Sequence, residues 1–405
     1  MNSDGSLSLS GSDASLVPEF VTQAHGNVSV RSRCANDRSP LAQNVSAQIA
    51  IGGWGGSIYF SSNVATAENR TAFVKTVTNF TQYYNFDGVD FEYVFDFPQL
   101  TSTECEFASW EYPNKQGIGC NVIDANDTQN FLDFLQELRQ DPVGAKLTLS
   151  AGTAITPFVD ASGNPSVDVS GFAKVLDYIA IMNYDIWGAW SSGVGPNSPL
   201  NDTCAAPANQ QGSAVSAVKA WSTAGMPVNQ IVLGVPSYGR SFSVSPSNAF
   251  VSGSSTDLAA YPKFNASNQP LGDAWDNTGS TNPCGVYEGP GGTFRLWGLV
   301  DGGFLDTQGN PASGIYYRYD NCSQTVQWFS LLGYYRGFDL TILFQPYVYN
   351  STSQVMVSFD NAQSFAAKGN YIKETGLRGF AMWEAGGDYN NLLLTSITQS
   401  VAGSS

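Results

Sequence analysis

The 405-residue chain contains one histidine, His25, and few charged residues of any kind. Charged residues make up 13% of the sequence, well below the roughly 25% of ordinary globular proteins. A single imidazole disfavours a His-rich metal site and a histidine-based catalytic triad. The 34 acidic residues outnumber the 18 basic ones, and basic clusters are missing. We therefore expect no metal, no cofactor, no nucleic acid and no anionic membrane as partners.

Long apolar runs are also missing. No run is long enough to span a membrane, and the first residues lack the apolar core of a signal peptide. Taken alone, this predicts a cytosolic protein. Asn-x-Ser/Thr sequons are dense, however, and favour a secreted glycoprotein whose N-terminus is missing from this chain. They include Asn44, Asn69, Asn79, Asn126, Asn201, Asn265, Asn321 and Asn350.

Aromatic residues are plentiful, with 24 Phe, 19 Tyr and 9 Trp, which argues against disorder. Short apolar runs alternate with amphipathic helical patterns, as is typical of a parallel sheet covered by helices. Strands are predicted at residues 47–51, 88–91, 147–151, 178–183, 231–236 and 379–383. Helical patterns are centred on Phe73 to Tyr84, Phe131 to Leu138, Ala214 to Ala224 and Ser364 to Glu374.

The helical period vanishes between Arg240 and about Val355, as expected of an inserted module. An eight-stranded α/β barrel needs about 250 residues, so a barrel plus an insertion accounts for the length. We predict barrel strands up to the seventh in residues 1–240, a small α+β insertion in 241–355, and the last barrel helix and strand in 356–405. Only Ser6 to Leu9 is a candidate for an earlier strand, so the first strands are expected to be missing.

Carboxylates provide the strongest chemical signal. Asp87 and Asp90 lie three apart in FDGVDFEYV, and Glu111 follows later in SWEYP. If Phe91 were followed by one Asp and then by Trp110, the amino-acid sequence would read DGVDFDWEYP. On a strand, the second Asp, the third Asp and the Glu would face one side, and their crowding would raise the pKa of the terminal acid. The alternative is that Asp87 and Asp90 are turn or cap residues.

This joined sequence resembles the D-x-x-D-x-D-x-E signature of glycoside hydrolase family 18, the chitinase family. Further segments resemble other motifs of that family in the correct order along the chain. They are GGW at Gly52 to Trp54, IAIMNYD at Ile179 to Asp185, LGVPSYGRSF at Leu233 to Phe242 and GLRGFAMWEAGGD at Gly376 to Asp388.

The resemblance implies a (β/α)8 TIM barrel that cleaves chitin. Glu111 would be the general acid, while Asp90 and the missing middle Asp would orient the substrate's N-acetyl group, whose oxygen attacks the anomeric carbon. Tyr184 would bond the acetamido group, and Asp185 would contact the sugar. Asp87 would complete the catalytic signature.

Substrate binding is expected from the remaining motif residues. Arg240 either binds sugar hydroxyls or pairs with a carboxylate, and Trp383 either stacks on the sugar or closes the core. Trp187 and Trp190 are weaker candidates. The expected binding set is Trp383, Asp185, Tyr238, Arg240, Trp54, Met182 and Tyr112.

The segment from Glu92 to Ser109 interrupts the signature, and its codons permit the GT and AG borders of an intron. Joining the two sides gives one Asp and restores DGVDFDWEYP. Intron borders are also permitted by the codons of two further segments, Val28–Gln43 and Val326–Gln345. Removal of any of the three segments keeps the reading frame. The alternative is that they are genuine loop insertions.

Two arrangements compete in the chain as it stands. Glu111 returns beside Asp90, which the apolar area of Trp110 and Tyr112 favours, or Glu92 occupies the place of the middle Asp.

Removing the first two segments removes Cys34 and Cys105 and leaves four cysteines, which can pair completely in an oxidising compartment. We favour Cys284 with Cys322 and Cys120 with Cys204, although the sequence does not fix the pairing.

We therefore expect a secreted, monomeric chitinase that acts on chitin or chitin oligosaccharides. The rivals are a non-catalytic chitin-binding lectin on the same barrel and a hydrolase of other N-acetylglucosamine glycans.

Overall fold

The computed structural model describes residues 2–9, 14–26, 45–92, 120–320 and 345–403. The described residues form two compact units. The first contains those up to Glu92, those from Cys120 to Thr153, and Pro157–Ile179; the second contains Ala154–Thr156 and those from Ala180 onward. Residues 28–43, 93–109 and 326–344, which the sequence marks as removable, lie outside the described residues.

The first unit contains parallel strands that alternate with helices. Strands β1, β2 and β3 pair in parallel, with Ile51 opposite Phe91 and Phe91 opposite Ala151, and β4 lies next to β3. The elements are α1 (Val17–Ala24), β1 (Gln48–Gly52), α2 (Phe60–Val64), α3 (Ala67–Tyr84), β2 (Gly88–Glu92), α4 (Asp127–Gln140), β3 (Thr148–Thr153), α5 (Ser170–Ala173) and β4 (Tyr178–Ile181), at which the chain enters the second unit.

An aromatic core joins these strands to their helices. Helix α3 begins where the Thr66 side chain accepts a hydrogen bond from the Asn69 amide, and it ends at Asn85, whose φ of 59° is left-handed. The rings of Phe73 and Phe134 stack with centroids 4.8 Å apart, and Phe91 meets Phe134 edge-to-face at 5.5 Å. Phe91 of β2 therefore faces the helices, and its neighbours in the strand face the opposite side.

The second unit continues the parallel arrangement and adds an antiparallel sheet. Strand β5 lies between β4 and β13, and the second sheet has the order β10-β11-β12-β6-β9. The helices are α6 (Ala214–Thr223), α7 (Pro246–Ala249), α8 (Leu296–Asp301), α9 (Ala362–Thr375) and α10 (Leu392–Ala402). The strands are β5 (Ile231–Pro236), β6 (Tyr238–Ser243), β7 (Ser280–Thr281), β8 (Tyr287–Glu288), β9 (Thr293–Arg295), β10 (Tyr316–Asp320), β11 (Gln345–Asn350), β12 (Val355–Ser358) and β13 (Gly379–Trp383).

Capping and close packing explain the longer helices of this unit. Helices α6 and α9 both begin with a reciprocal capping box, formed by Ser213 with Ser216 and by Asn361 with Ser364. Helix α9 lies directly on α10, since a Cβ on Gly369 would stand 2.7 Å from the Cβ of Ser400. A separate apolar cluster includes residues of the antiparallel sheet. It comprises Val194, Phe242, Val244, Ala249, Leu258, Tyr347, Tyr349 and Met356.

The six predicted strands are confirmed with ends shifted by at most two residues, and the four predicted helical patterns fall in α3, α4, α6 and α9. Ser6 to Leu9 does not form the candidate early strand, because the amide of Gly5 bonds to Asn2 and that of Ser6 to the Asp4 carboxylate in a local turn. The predicted boundaries after residues 240 and 355 fall within β6 and β12, so this division of the chain stays a prediction.

Candidate functional site

Asp90 and Glu92 occupy the face of β2 that points away from the aromatic core. Asp90 is opposite Ala50 and Ser150 in the neighbouring strands, and its carboxylate accepts a hydrogen bond from the Ser150 hydroxyl. Glu92 ends the strand opposite Gly52 and is half-buried. Its backbone carbonyl accepts bonds from the Gly53 amide, at 2.8 Å, and from the Ser57 hydroxyl, at 3.0 Å.

Burial and mutual repulsion change the acidity of this carboxylate pair. Desolvation raises the pKa of Asp90 above its usual value, and the Ser150 hydrogen bond opposes the rise. Desolvation, together with the nearby charge of Asp90, raises the pKa of Glu92 to about 7. Glu92 can therefore carry a proton near neutral pH, as a general acid must.

Two glycines leave the space that the Glu92 side chain occupies. A Cβ on Gly53, whose φ is +82°, would lie 2.9 Å from Oε2 of Glu92. A Cβ on Gly152 would lie 3.2 Å from Cγ of Glu92 and 3.9 Å from Oδ2 of Asp90. The GGW motif therefore has a physical role, because its second glycine makes room for a carboxylate at the end of β2.

Asp87 lies before β2, at the opposite end of the strand from Glu92. Its Oδ2 is 2.7 Å from Nε2 of His25 and accepts the Ala47 amide at 2.7 Å. These contacts support the interpretation of Asp87 as a cap between chain segments. Glu111 and Tyr112 lie outside the described residues. Glu92 itself lies beside Asp90 on β2, and the choice between the two arrangements stays a prediction.

Asp185 and Arg240 form a partly buried ion pair in the second unit. The Arg240 Nε donates to Oδ1 of Asp185 at 2.7 Å, and a terminal nitrogen lies 2.6 Å from the same oxygen. The Arg240 guanidinium also donates to the Gly291 carbonyl and the Thr293 hydroxyl, at 3.0 and 3.1 Å. The described contacts include the pair with a carboxylate, and sugar binding by Arg240 stays a prediction.

Aromatic rings enclose this ion pair. The Arg240 guanidinium carbon lies 5.5 Å from the ring centre of Trp190 and 5.4 Å from that of Tyr238. Burial and the charge of Asp185 raise the pKa of the Tyr238 hydroxyl well above its usual value. Tyr184 meets Tyr238 edge-to-face with centroids 6.1 Å apart.

Tyr184 and Met182 lie against β5 because Gly234 has no side chain. A Cβ on Gly234 would lie 3.0 Å from Cε1 of Tyr184 and 3.2 Å from Cα of Met182. The structure thus brings Met182, Tyr184, Asp185, Tyr238 and Arg240 together, as their motifs predict.

Asn197 is a residue that the motif analysis missed. It is fully buried, and its Oδ1 accepts the amide of Asp185 at 3.1 Å while its Nδ2 donates to the Tyr238 carbonyl at 3.1 Å. Its own amide donates to the Ser358 hydroxyl at 2.8 Å. Asn197 therefore fixes the backbone of Asp185, which has a left-handed φ of 58°. Its sequence context, a polar loop without periodicity, gave no signal.

The predicted tryptophans differ in exposure. Trp383 is 56% exposed and Trp54 is 39% exposed, so each presents apolar area to solvent. Trp187 is buried and packs on Tyr261 with centroids 5.4 Å apart, which makes it a core residue. Trp383 ends β13 opposite Pro236, and the peptide bond that follows it is cis.

Comparison with known proteins decides the family. The model of glycosyl hydrolases family 18 matches residues 27–388. The chain belongs to glycosyl hydrolase family 18. A chitinase-like effector of Moniliophthora roreri is 47% identical, over 97% of this chain and 83% of the relative. Chitinase A1 of Niallia circulans is 29% identical, over 86% of this chain and 42% of that enzyme.

A solved chitinase structure confirms the predicted fold class, the α/β barrel of the TIM type. A crystal structure of a chitinase from Rhizomucor miehei matches 99% of this chain and 91% of its own with a TM-score of 0.77 at 26% identity. The described residues contribute six strands to this fold.

Cysteine pairing and membrane propensity complete the description. Cys120, Cys204 and Cys284 are all in disulfide bonds, while Cys34, Cys105 and Cys322 lie outside the described residues. Within the described ranges no helix has the length and apolar content to cross a bilayer, and no group of three or more His, Cys, Asp or Glu could hold a metal ion.

Proposed function

We propose that this family 18 protein hydrolyses β-1,4 linkages of chitin once the interrupting segments are removed. The observation that carries the proposal is the placement of Asp90 and Glu92 on the face of β2 opposite to Phe91. In the joined chain an Asp takes the place of Glu92, and Glu111 stands two residues further on. Because side chains of a strand repeat every two residues, Glu111 then continues the same carboxylate face.

The reaction follows from these groups. Glu111 donates its proton to the glycosidic oxygen, and the bond from that oxygen to the anomeric carbon breaks. The carbonyl oxygen of the substrate's own N-acetyl group forms a bond to the same carbon from the opposite face. Water then attacks this cyclic intermediate and returns a proton to Glu111. Two displacements at one carbon give retention of configuration.

Sugar binding is proposed from the family's motifs. Tyr184 is proposed to bond the acetamido group, and Asp185 a neighbouring sugar oxygen. Arg240 acts on Asp185 by fixing its carboxylate at 2.7 Å. Trp383 offers its exposed indole to the apolar face of a pyranose.

A second candidate function is chitin binding without catalysis. Two relatives, from Moniliophthora roreri and Moniliophthora perniciosa, are named chitinase-like effectors and are 47% and 46% identical to this chain. The chain as it stands also interrupts the carboxylate face after Glu92. Misplacement of a catalytic group by about 1 Å can lower a rate about 100-fold, so we expect this polypeptide to bind chitin and to turn it over poorly.

The proposed setting is extracellular, with chitin or its oligosaccharides as the partner of a monomer. Three disulfide-bonded cysteines support an oxidising compartment.

The test compares the chain as it stands with a joined chain that lacks the three segments. Both are assayed for release of reducing ends from chitin oligosaccharides, beside Glu111→Gln and the exposed control Glu374→Gln in the joined chain. We expect Glu111→Gln to lower kcat about 10²–10⁴-fold with little change in binding, and Glu374→Gln to match the parent. Equal turnover by the joined chain and its Glu111→Gln variant would overturn the catalytic assignment. Binding without turnover by the joined chain would favour the effector-like function.

A further inference from the structure

The segment that carries Tyr184 is held on both sides of this residue by one buried loop. Before Tyr184, the Asn183 carbonyl accepts the Ser198 hydroxyl, and the Asn183 side-chain amide donates to Oγ of Ser198 at 3.3 Å. After Tyr184, the Asp185 amide donates to Oδ1 of Asn197 at 3.1 Å. Asn183, Asn197 and Ser198 are all fully buried. The backbone that carries Tyr184 is therefore fixed by the bonds that its neighbours make with this loop.

Lys368 of α9 brings a buried charge to Ser198. Its Nζ donates to the Ser198 hydroxyl at 2.7 Å and to Oδ1 of Asp360 at 2.8 Å. The side chains of Lys368 and Asp360 are 2% and 0% exposed. Desolvation lowers the pKa of Lys368, and the charge of Asp360 opposes this change. Asp360 also accepts the Ser364 hydroxyl at 2.6 Å, so both buried charges have hydrogen-bond partners inside the protein.

The ammonium of Lys368 fixes the direction of the Ser198 hydroxyl. A serine hydroxyl has one O–H and two acceptor lone pairs, whereas an ammonium can only donate. Oγ of Ser198 accepts from Lys368 and from the Asn183 side chain, which occupies both lone pairs. The single O–H is left for the Asn183 carbonyl. Because the cation polarises the hydroxyl that it bonds, it also strengthens this last bond.

We propose that Lys368 is a positioning residue for acetamido recognition, which acts through Ser198 on the backbone that carries Tyr184. This inference rests on the proposed function, in which Tyr184 bonds the acetamido group of the sugar. Lys368 itself does not touch the sugar, so its effect on binding requires both the Ser198 hydroxyl and the Tyr184 hydroxyl. An ion pair that only stabilised the fold would change the free energy of unfolding and leave the affinity of the folded protein unchanged.

The experiment measures the dissociation constant of the full chain for the N-acetylglucosamine hexamer by isothermal titration calorimetry, with Tyr184 and with Tyr184→Phe. Circular dichroism supplies the folded fraction to which each constant refers. Ser198→Ala removes the hydroxyl and leaves the ion pair in place. Lys368→Met combined with Asp360→Asn removes both buried charges together. Lys373→Met, an exposed lysine of the same helix, is the matched control.

We expect Ser198→Ala and the charge-free pair to weaken hexamer binding about three- to tenfold when Tyr184 is present, the effect of one well-placed hydrogen bond. Neither change should weaken binding further in Tyr184→Phe, which lacks the hydroxyl that they position. Combining the two changes should weaken binding no more than Ser198→Ala does alone. Lys373→Met should match the parent in both backgrounds.

Equal weakening with Tyr and with Phe at position 184 would show a general effect on the fold, and it overturns the proposal while the proposed function stands. Unchanged binding by Ser198→Ala overturns the route through its hydroxyl in the same way. If the charge-free pair does not fold, Ser198→Ala decides the question alone. A parent chain that does not bind the hexamer, or a Tyr184→Phe variant that binds it as tightly as the parent, rejects the proposed function of this site and the inference with it.

Discussion

Two carboxylates on one face of β2 tie the stability of this protein to pH. Burial and the charge of Asp90 raise the pKa of Glu92 from 4.5 to about 7. The folded state therefore holds this proton more tightly than the unfolded state does. The protonated Glu92 therefore contributes to the free energy of unfolding. This contribution is fully present below about pH 4.5 and is lost as the pH rises through 7. A shift of about 2.5 units corresponds to at most about 3 kcal/mol.

Replacing Glu92 with Gln should remove this loss, because an amide keeps the shape of the protonated acid and cannot ionise. We expect the free energy of unfolding of Glu92→Gln to exceed that of the parent at pH 8 by up to about 3 kcal/mol. At pH 4 the two should agree. Urea denaturation at pH 4, 6 and 8 measures the difference, with the exposed Glu374→Gln as the matched control. A Glu92→Gln variant whose advantage is the same at all three pH values would contradict this account.

At the scale of elements, the segment that follows β4 depends on bonds from a distant loop. Asn197 bonds the amide of Asp185, the carbonyl of Tyr238 and the hydroxyl of Ser358. Beside it the Ser198 hydroxyl bonds the Asn183 carbonyl and accepts from the ammonium of Lys368, which also bonds Asp360 at 2.8 Å. The loop thus joins β4, β6, β12 and α9.

Asn197→Ala should lower the free energy of unfolding by about 2–4 kcal/mol, because the substitution leaves the Asp185 amide and the Tyr238 carbonyl buried without their partner. Thermal and urea unfolding measure the change. The control Asn248→Ala removes an exposed amide and should stay within about 0.5 kcal/mol of the parent. Equal stability of the two variants would show that the Asn197 bonds do not hold this segment.

The limits of sequence prediction follow from the range of each contact. Apolar periodicity predicted β2 and α3, because each pattern lies within one element and one face of each element is buried. The pairing of Arg240 with Asp185 depends on residues 55 positions apart, and no local pattern encodes that distance. Asn197 was missed for the same reason: it lies in a loop whose neighbours come from other elements.

The hairpin of β10 and β11 shows what a shorter connection would do. Tyr319 is opposite Pro346 and Asp320 is opposite Gln345, so the two strands meet directly. Without Val326–Gln345, five residues join Asp320 to Pro346, and hairpin loops of two to five residues are common.

We expect deletion of Val326–Gln345 to leave the chain folded, with an unfolding temperature equal to or above that of the parent. Differential scanning calorimetry measures the change. A chain in which a Gly/Ser linker of equal length replaces the segment separates the effect of its sequence from that of its length. Insolubility of the deletion variant, or a lower unfolding temperature, would favour the interpretation as a genuine loop insertion.

At the scale of the whole molecule, the sequon asparagines differ in their exposure to solvent. Asn69, Asn79, Asn126 and Asn265 are exposed, whereas Asn201 is 5% exposed and bonds the Thr203 amide. A chain that carries a glycan at Asn201 cannot bury that side chain. Expressed with a signal peptide in a fungal host, the folded secreted protein should therefore carry glycans at exposed sequons and none at Asn201. Glycopeptide mass spectrometry checks this, and full occupancy at Asn201 would contradict it.

The three removable segments make one joint prediction about the messenger RNA. At the first, the Val45 amide already bonds the Ala24 carbonyl at 3.0 Å, so α1 leads to β1 without residues 28–43. At the second, β2 ends at Glu92, where the joined chain has its Asp. At the third, β10 and β11 already meet. At the first and third segments the described chain is therefore close enough on both sides for direct joining.

Transcripts from the source organism should accordingly lack the codons for Val28–Gln43 and Val326–Gln345 and join codon 92 to codon 109 as one Asp. Sequencing of full-length complementary DNA measures this, with genomic DNA as the control that retains all three segments. Messages that carry residues 92–109 as the dominant form would contradict the restored carboxylate face. The chain as it stands would then be the natural product, and its carboxylate chemistry would rest on Asp90 and Glu92, a pair suited to holding a proton beside a sugar.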